Sequence, residues 1–140
     1  MKILLAVDGS AYTKKMLAYL VTHKDTFAGD NTFTLFTVQP AIPPRARSAL
    51  GKQVVDQYQL DEAERVLGPV TKFLLRHDIN AKSAWKVGNA GDLIAKFADA
   101  EKFDLLVMGS HGHGALANLV MGSVATKVIA HCSVPVLMVR

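Results

Sequence analysis

The sequence predicts an α/β fold in which a parallel sheet is covered by helices on both faces. Short apolar segments alternate with longer segments of helical period along the chain, as in βαβ units. Residues 104–108 are nearly all apolar, as a central strand buried on both faces should be. A chain of 140 residues, 50% hydrophobic and 20% charged, fits one core, so we expect residues 1–140 to form one domain.

The alternation places five strands and four helices. The strands are expected at Lys2–Val7, Thr32–Val38, Ala81–Val87, Asp104–Met108 and Pro135–Val139. The helices are expected to start near Ser10, which is a good N-cap residue, and to cover Lys52–His77, Ala90–Ala100 and Ser123–His131. Lysines at alternate positions of the third strand mark it as an edge of the sheet.

The region around the second helix carries two further expectations. Pro40–Gly51 contains three prolines and no helical period, which predicts a mobile loop with solvated Arg45 and Arg47. Gly68-Pro69 predicts a kink or break within the helix. Its buried face is expected to consist of Leu60, Ala63, Leu67, Val70 and Leu74.

Composition and charge exclude several classes of function. The net charge is +4 with scattered lysines and arginines, which gives little support for nucleic-acid binding. No apolar run approaches the length of a membrane span, and the first residues do not resemble a signal peptide. We therefore expect a cytoplasmic protein without a membrane partner. Cys132 is the only cysteine and is interpreted as a small filler of the interior.

The segment after the fourth strand carries the strongest functional signal. Gly109 and Gly112 follow the strand, and Gly122 directly precedes Ser123 at the start of a helical pattern. Glycine allows close approach of the backbone to a ligand, and a helix N-terminus presents unpaired N–H groups. Together they predict a phosphate-binding loop. It is neither a Walker A loop, which needs Gly-Lys-Ser/Thr, nor the Gly-x-Gly-x-x-Gly dinucleotide fingerprint.

The spacing Gly109-x2-Gly112-x9-Gly122-Ser123 resembles the nucleotide-binding signature of the universal stress protein family. The first segment, ending in Asp8-Gly9-Ser10, is similar to that family's first strand and turn, and Val134–Val139 is similar to its last strand. The resemblance covers the whole chain. It implies the strand order 3-2-1-4-5, which brings the ends of strands one and four together where the winding direction reverses, the usual ligand position in such sheets.

The resemblance also implies roles for individual residues around ATP, accompanied by Mg²⁺ or Mn²⁺. Asp8 would contact the ribose, Val7 and Met108 would line the base pocket, and the backbone of Val38 would recognise adenine. The phosphates would contact Gly109 and Gly112, then Gly122 and Ser123, with Ser110 as a further donor. No catalytic residues and no protein metal ligands are expected. His111 and His113 lie in the loop without a role implied by the family, and we interpret them as solvent-facing.

The function predicted from these features is that of an ATP-binding stress sensor or regulator. Two alternatives remain open: a homodimeric interaction protein that binds no nucleotide, and a slow ATPase. Val134–Val139 is an apolar run without charge at an expected sheet edge. An edge of this kind invites pairing, which predicts a homodimer through the last strand, as the resemblance also implies.

Overall fold

The computed structural model describes residues 1–114 and 120–140. Its strands are β1 (Lys2–Ala6), β2 (Thr32–Gln39), β3 (Ala81–Val87), β4 (Leu105–Gly109) and β5 (Val136–Val139). Its α-helices are α1 (Ala11–Thr22), α2 (Pro44–Leu50), α3 (Lys52–Arg76), α4 (Ala90–Ala100) and α5 (Ser123–His131), and a short 3-10 helix covers Lys24–Phe27.

The five strands form one parallel sheet in the order β3-β2-β1-β4-β5, as predicted. Alternate residues of β1 enter two cores, one on each face. Ile3 and Leu5 pack with residues of α1 and α3, whereas Leu4 and Ala6 pack with residues of α4 and α5. This is the doubly wound arrangement, and it leaves the C-terminal ends of β1 and β4 side by side at the reversal point.

The prediction of an irregular loop over Pro40–Gly51 is wrong, because Pro44–Leu50 is the helix α2. Pro44 occupies the first helical turn, where a proline has no N–H to leave unpaired and its fixed φ suits the helix. Gly51, with φ of +84°, separates α2 from α3. Both arginines of α2, Arg45 and Arg47, are exposed, as expected.

Helix α3 runs unbroken from Lys52 to Arg76 with Pro69 inside it, so the predicted break does not occur. Its buried face matches the prediction at Ala63, Leu67, Val70 and Leu74. The prediction that Leu60 is buried is wrong, since Leu60 is 37% exposed and its neighbour Gln59 is buried instead. In the part of the chain that the structure describes, no helix combines the length and the apolar character needed to cross a membrane.

Candidate nucleotide-binding cleft

A cavity of about 400 Å³ opens where the C-terminal ends of β1 and β4 meet the first turns of α4 and α5. Eight of the nine residues predicted from the sequence line it: Val7, Asp8, Val38, Met108, Gly109, Gly112, Gly122 and Ser123. They converge because β1 and β4 are neighbours in the sheet. The ninth, Ser110, does not line the cavity. It is 1% exposed, and its hydroxyl contacts Nδ1 of His111 at 2.8 Å.

The turn after β1 is held by hydrogen bonds within itself. Oδ1 of Asp8 accepts from the Ser10 amide and from the Thr13 hydroxyl, both at 2.9 Å. The Thr13 hydroxyl in turn accepts from the Asp8 amide at 3.1 Å. Gly9 has φ of +77°, a conformation that suits glycine. The turn therefore fixes the Asp8 carboxylate at the rim of the cavity through Oδ1 and leaves Oδ2 outside these bonds.

The glycines of the loop after β4 provide space for close contacts. A left-handed backbone is not the reason for them, because none of Gly109, Gly112 and Gly122 has a positive φ. A β-carbon at Gly109 would lie 2.7 Å from Cβ of Tyr12, and one at Gly112 would lie 2.8 Å from Oδ2 of Asp8. At Gly122 it would lie 3.2 Å from Cα of His111. The Gly122 amide also donates to the Ser110 carbonyl at 2.8 Å. Gly109 and Gly112 therefore let the β4 side of the cleft approach the β1 side, and Gly122 lets the start of α5 approach the loop after β4.

The helices α1, α4 and α5 begin at this edge of the sheet, and their N-termini differ. Ser10 caps α1 by accepting from the Thr13 amide, and Asn89 caps α4 by accepting from the Asp92 amide. The N-cap of α5 is Gly122, which has no side chain to accept from the first turn. Ser123, Val124 and Ala125 of that turn line the cavity. The first-turn N–H groups of α5, which have no partner within the helix, therefore lie at the wall of the cleft.

The cleft has an apolar part and a polar part. The apolar part is formed by Ala6, Val7, Val38, Ala90, Ile94, Met108, Val124 and Ala125. The polar part combines Asp8, Thr13 and Ser123 with His111 and His113. Such an arrangement suits a ligand with a flat apolar body and a polar or charged tail.

Sequence reasoning missed several residues of this cleft. Thr13 was detectable, because it lies three residues after the N-cap Ser10 and on the side of α1 that meets the turn. Ala90 and Ile94 of α4 carry no sequence signal beyond a helical period. His111 and His113 were interpreted as solvent-facing. Both line the cavity, and His113 is exposed whereas His111 is partly buried.

The described residues around the cleft meet the needs of neither a protein metal site nor a reactive thiol. Within residues 1–114 and 120–140 no three histidine, cysteine or acidic side chains group as metal ligands. Cys132 follows α5 and is absent from the lining of the cavity. Burial raises the pKa of its thiol, with a smaller contribution from the Asp99 carboxylate nearby. The thiol is therefore held in its protonated, poorly nucleophilic form.

Fold and cleft together define a doubly wound α/β protein with a ligand-sized site at its reversal point. The chain belongs to the universal stress protein family, whose model matches residues 1–140. It is 31% identical over 139 residues to universal stress protein Slr1230 of Synechocystis, covering 99% of this chain and 42% of that protein. The chain thus spans less than half the length of that relative. A Thermus aquaticus universal stress protein is 30% identical, with coverage of 99% and 97%.

Solved structures show the same fold. MJ0577 of Methanocaldococcus jannaschii superposes with a TM-score of 0.80 at 26% identity, covering 99% of this chain and 94% of that one. Universal stress protein UspA of Lactobacillus plantarum superposes with a TM-score of 0.81 at 20% identity, covering 100% and 97%.

Proposed function

We propose that this chain binds ATP in the cleft and acts as a sensor or regulator in the stress response. The observation that carries the proposal is the first turn of α5, which has no side-chain cap and lines the cavity behind the glycine loop. N–H groups at a helix start, combined with the positive end of the helix dipole, favour an anionic group. The triphosphate would lie along Gly109–Gly112 and Gly122–Ser123.

The remainder of the cleft suits the adenosine. Oδ1 of Asp8 is engaged by Ser10 and Thr13, which leaves Oδ2 to accept from a ribose hydroxyl. Val7, Met108 and Ile94 offer apolar surface for the base, and the end of β2 at Val38 offers backbone groups to its edge. A cavity of about 400 Å³ falls within the usual range for small-molecule sites, roughly 300–1,000 Å³.

Structural relatives support an adenine nucleotide as the ligand class. An Arabidopsis thaliana family member was solved with AMP bound, an Archaeoglobus fulgidus universal stress protein with dAMP, and another universal stress protein with cAMP. Each of these ligands carries a single phosphate group, and our choice of ATP rests on the glycine loop of this chain. In this proposal the protein acts in the cytoplasm, with neither nucleic acid nor a membrane as partner.

A divalent cation would enter with the nucleotide. Asp8 is the only carboxylate among the residues that the structure places around the cavity, and a hard cation such as Mg²⁺ prefers several oxygen ligands. Phosphate oxygens and water would therefore supply most of the coordination of Mg²⁺ or Mn²⁺.

Mass spectrometry of small molecules released by denaturing the purified protein tests the proposal. We expect ATP or its breakdown products in amounts that approach the protein concentration after purification without added nucleotide. If nothing is released, titration with ATP follows. Absence of binding in both experiments would leave the nucleotide-free interaction protein as the better account.

We also propose that two copies pair through β5, because a specific feature of this strand favours it. β5 lies at the sheet edge beside β4. The carbonyls of Pro135 and Val139 accept from β4, so the alternating backbone groups of Val136 and Met138 face the open edge. Pairing with the same strand of a second copy would satisfy these groups and close the assembly on a two-fold axis.

Light scattering of the wild type and a Val136→Pro variant tests the dimer. The proline removes an outward N–H while leaving the ladder to β4 in place, and we expect it to yield a monomer. Val136 and Leu137 both pack against a core, so unfolding measurements must show that the variant, like a Leu137→Lys variant, remains folded. A wild-type monomer at micromolar concentration, or a variant that stays dimeric, would contradict the proposal.

A further inference from the structure

The loop after β4 is joined to the end of β1 by a histidine. Nε2 of His113 lies 2.7 Å from the carbonyl oxygen of Asp8, a contact between residues 105 positions apart in the chain. A carbonyl oxygen only accepts hydrogen bonds, so Nε2 must carry the proton and donate it. This geometry fixes which ring nitrogen of His113 is protonated.

A second histidine contacts the same side of the cleft. The ring of His111 lies 4.8 Å from that of Tyr12 in α1, and its Nδ1 is 2.8 Å from the hydroxyl of Ser110. Two positions of the loop, residues 111 and 113, are thus held, one against α1 and the other against the turn after β1. Gly112 lies between them, and any side chain at this position would place its β-carbon against Oδ2 of Asp8.

We propose that His113 is a positioning residue that holds the glycine loop in its phosphate-binding conformation before any nucleotide arrives. This inference rests on the proposed function, because it names what organises the same site. Glycine-rich backbone has the most conformational freedom to lose. A ligand that had to order the loop would bind more weakly by the cost of ordering it. The bond from His113 to Asp8 removes part of that cost in advance.

The position of the bond predicts which part of the ligand depends on it. His113 tethers the segment that would contact phosphates. The other end of the tether is the carbonyl of Asp8, in a turn that the bonds from Ser10 and Thr13 hold without His113. Loss of the tether should therefore weaken ATP binding and leave adenosine binding nearly unchanged. A histidine that merely rests on the surface would affect neither ligand.

Three variants test the inference. His113→Ala removes the donor, His113→Gln retains an N–H near the position of Nε2, and His131→Ala removes an exposed histidine outside the cleft. Calorimetry with ATP and with adenosine gives the affinities. Hydrogen exchange of the amides of residues 112–114 in ligand-free protein gives the order of the loop, and imidazole nitrogen chemical shifts give the protonated nitrogen.

We expect His113→Ala to lose about tenfold in ATP affinity, the effect of one ordinary hydrogen bond, and little in adenosine affinity. Its loop amides should exchange faster, His113→Gln should recover most of both effects, and His131→Ala should match the wild type. In the wild type, Nε2 of His113 should carry the proton.

The two proposals fail in different ways. A wild type that binds no ATP contradicts the proposed function, and loop exchange then decides alone whether the tether orders the loop. A wild type that binds ATP and a His113→Ala variant of equal affinity and equal loop exchange would overturn the inference about His113. So would a proton on Nδ1 in place of Nε2.

Discussion

The two rims of the cleft are built in opposite ways. On the β1 side, Asp8, Ser10 and Thr13 satisfy one another with hydrogen bonds, and α1 begins with a side-chain cap. On the β4 side, glycines replace side chains, and α5 begins without a cap. The difference indicates that the two sides of the cleft have separate roles, one in fixing a carboxylate and the other in offering backbone donors. One rim is self-contained in its side-chain hydrogen bonds and presents a fixed carboxylate, and the other leaves the first-turn N–H groups of α5 for a ligand.

Gly122→Val should have the largest effect, because it changes the β4 side of the cleft, where we expect the phosphates to bind. A β-carbon there meets Cα of His111 at 3.2 Å and the Ser110 carbonyl oxygen at 3.4 Å, so the branched side chain must push the loop aside. We expect ATP affinity to fall about 100-fold, equivalent to about 2.8 kcal/mol, and stability to fall by about 1–3 kcal/mol from overpacking. Calorimetry and urea unfolding measure the two quantities.

Gly68→Ala is the matched control for that variant. A β-carbon at Gly68 would meet no atom within 4 Å beyond its chain neighbours and the backbone of its own helix. Alanine is favoured over glycine in a helix by up to about 1 kcal/mol, and the clash of a β-carbon with the following Pro69 opposes this gain. The control should bind ATP like the wild type and stay within about 1 kcal/mol of its stability. If a folded Gly122→Val variant bound ATP with wild-type affinity, the phosphates would not bind along this loop.

Asp8→Asn should have a smaller effect of a different kind. The amide oxygen can keep the bonds from Ser10 and Thr13, while the nitrogen replaces the accepting Oδ2 with a donor. We expect the affinity for ATP and for adenosine to fall by a similar factor of about ten, since the lost contact is to the ribose. Calorimetry with both ligands checks this. A loss confined to ATP would mean that Asp8 acts on the phosphates or their cation.

Thr13→Val should change stability more than affinity. It removes the hydroxyl that bonds both the amide and the carboxylate of Asp8, and we expect a loss of about 1–3 kcal/mol in unfolding free energy. ATP affinity should fall only a few fold.

Thr22→Val serves as its control, because Thr22 lies exposed at the end of the same helix, with a hydroxyl that bonds only backbone carbonyls and its neighbour His23. It should stay within about 0.5 kcal/mol of the wild type. If Thr13→Val abolished ATP binding while stability held, the β1 rim would not be the self-contained one.

The smallest expected signal is ATP hydrolysis. Among the described polar residues of the cleft, Asp8, Thr13 and His113 hold hydrogen bonds to protein groups, and we assign none of them as a catalytic base. We expect turnover far below the typical enzyme value of about 10 per second. A phosphate-release assay measures it. Rapid, metal-dependent turnover that His111→Ala or His113→Ala abolishes would show that the histidines act on the reaction.

The sequence predicted the framework of the site better than its details. Asp8 and Gly109 could be placed together, because strand order follows from the resemblance and each residue ends or follows a strand. The bounds of α4 and α5 follow from clear helical periods. In contrast, the contacts of Gly122 with His111 and of Gly109 with Tyr12 depend on how closely two segments approach, which no periodicity encodes.

Two predictions about helices were wrong, each for its own physical reason. Prolines around Pro44 pointed to a loop, although proline is also well suited to the first turn of a helix, and α2 uses it so. Leu60 was expected to be buried because it continues the helical period of Ala63 and Leu67, but the orientation of α3 buries Gln59. Tertiary packing decided between Leu60 and Gln59, whereas α2, which buries no residue, follows from the local fit of proline to a helix start.

Amide chemical-shift changes during ATP titration of nitrogen-15-labelled protein test the difference between the two rims most directly. A chain of 15.1 kDa is well suited to this measurement, and adenosine serves as the reference ligand. The account predicts that the changes specific to ATP concentrate in Gly109–Gly112 and Gly122–Ala125, while Ser10–Thr13 change little. ATP-specific changes confined to Ser10–Thr13, or absent from both rims, would contradict it.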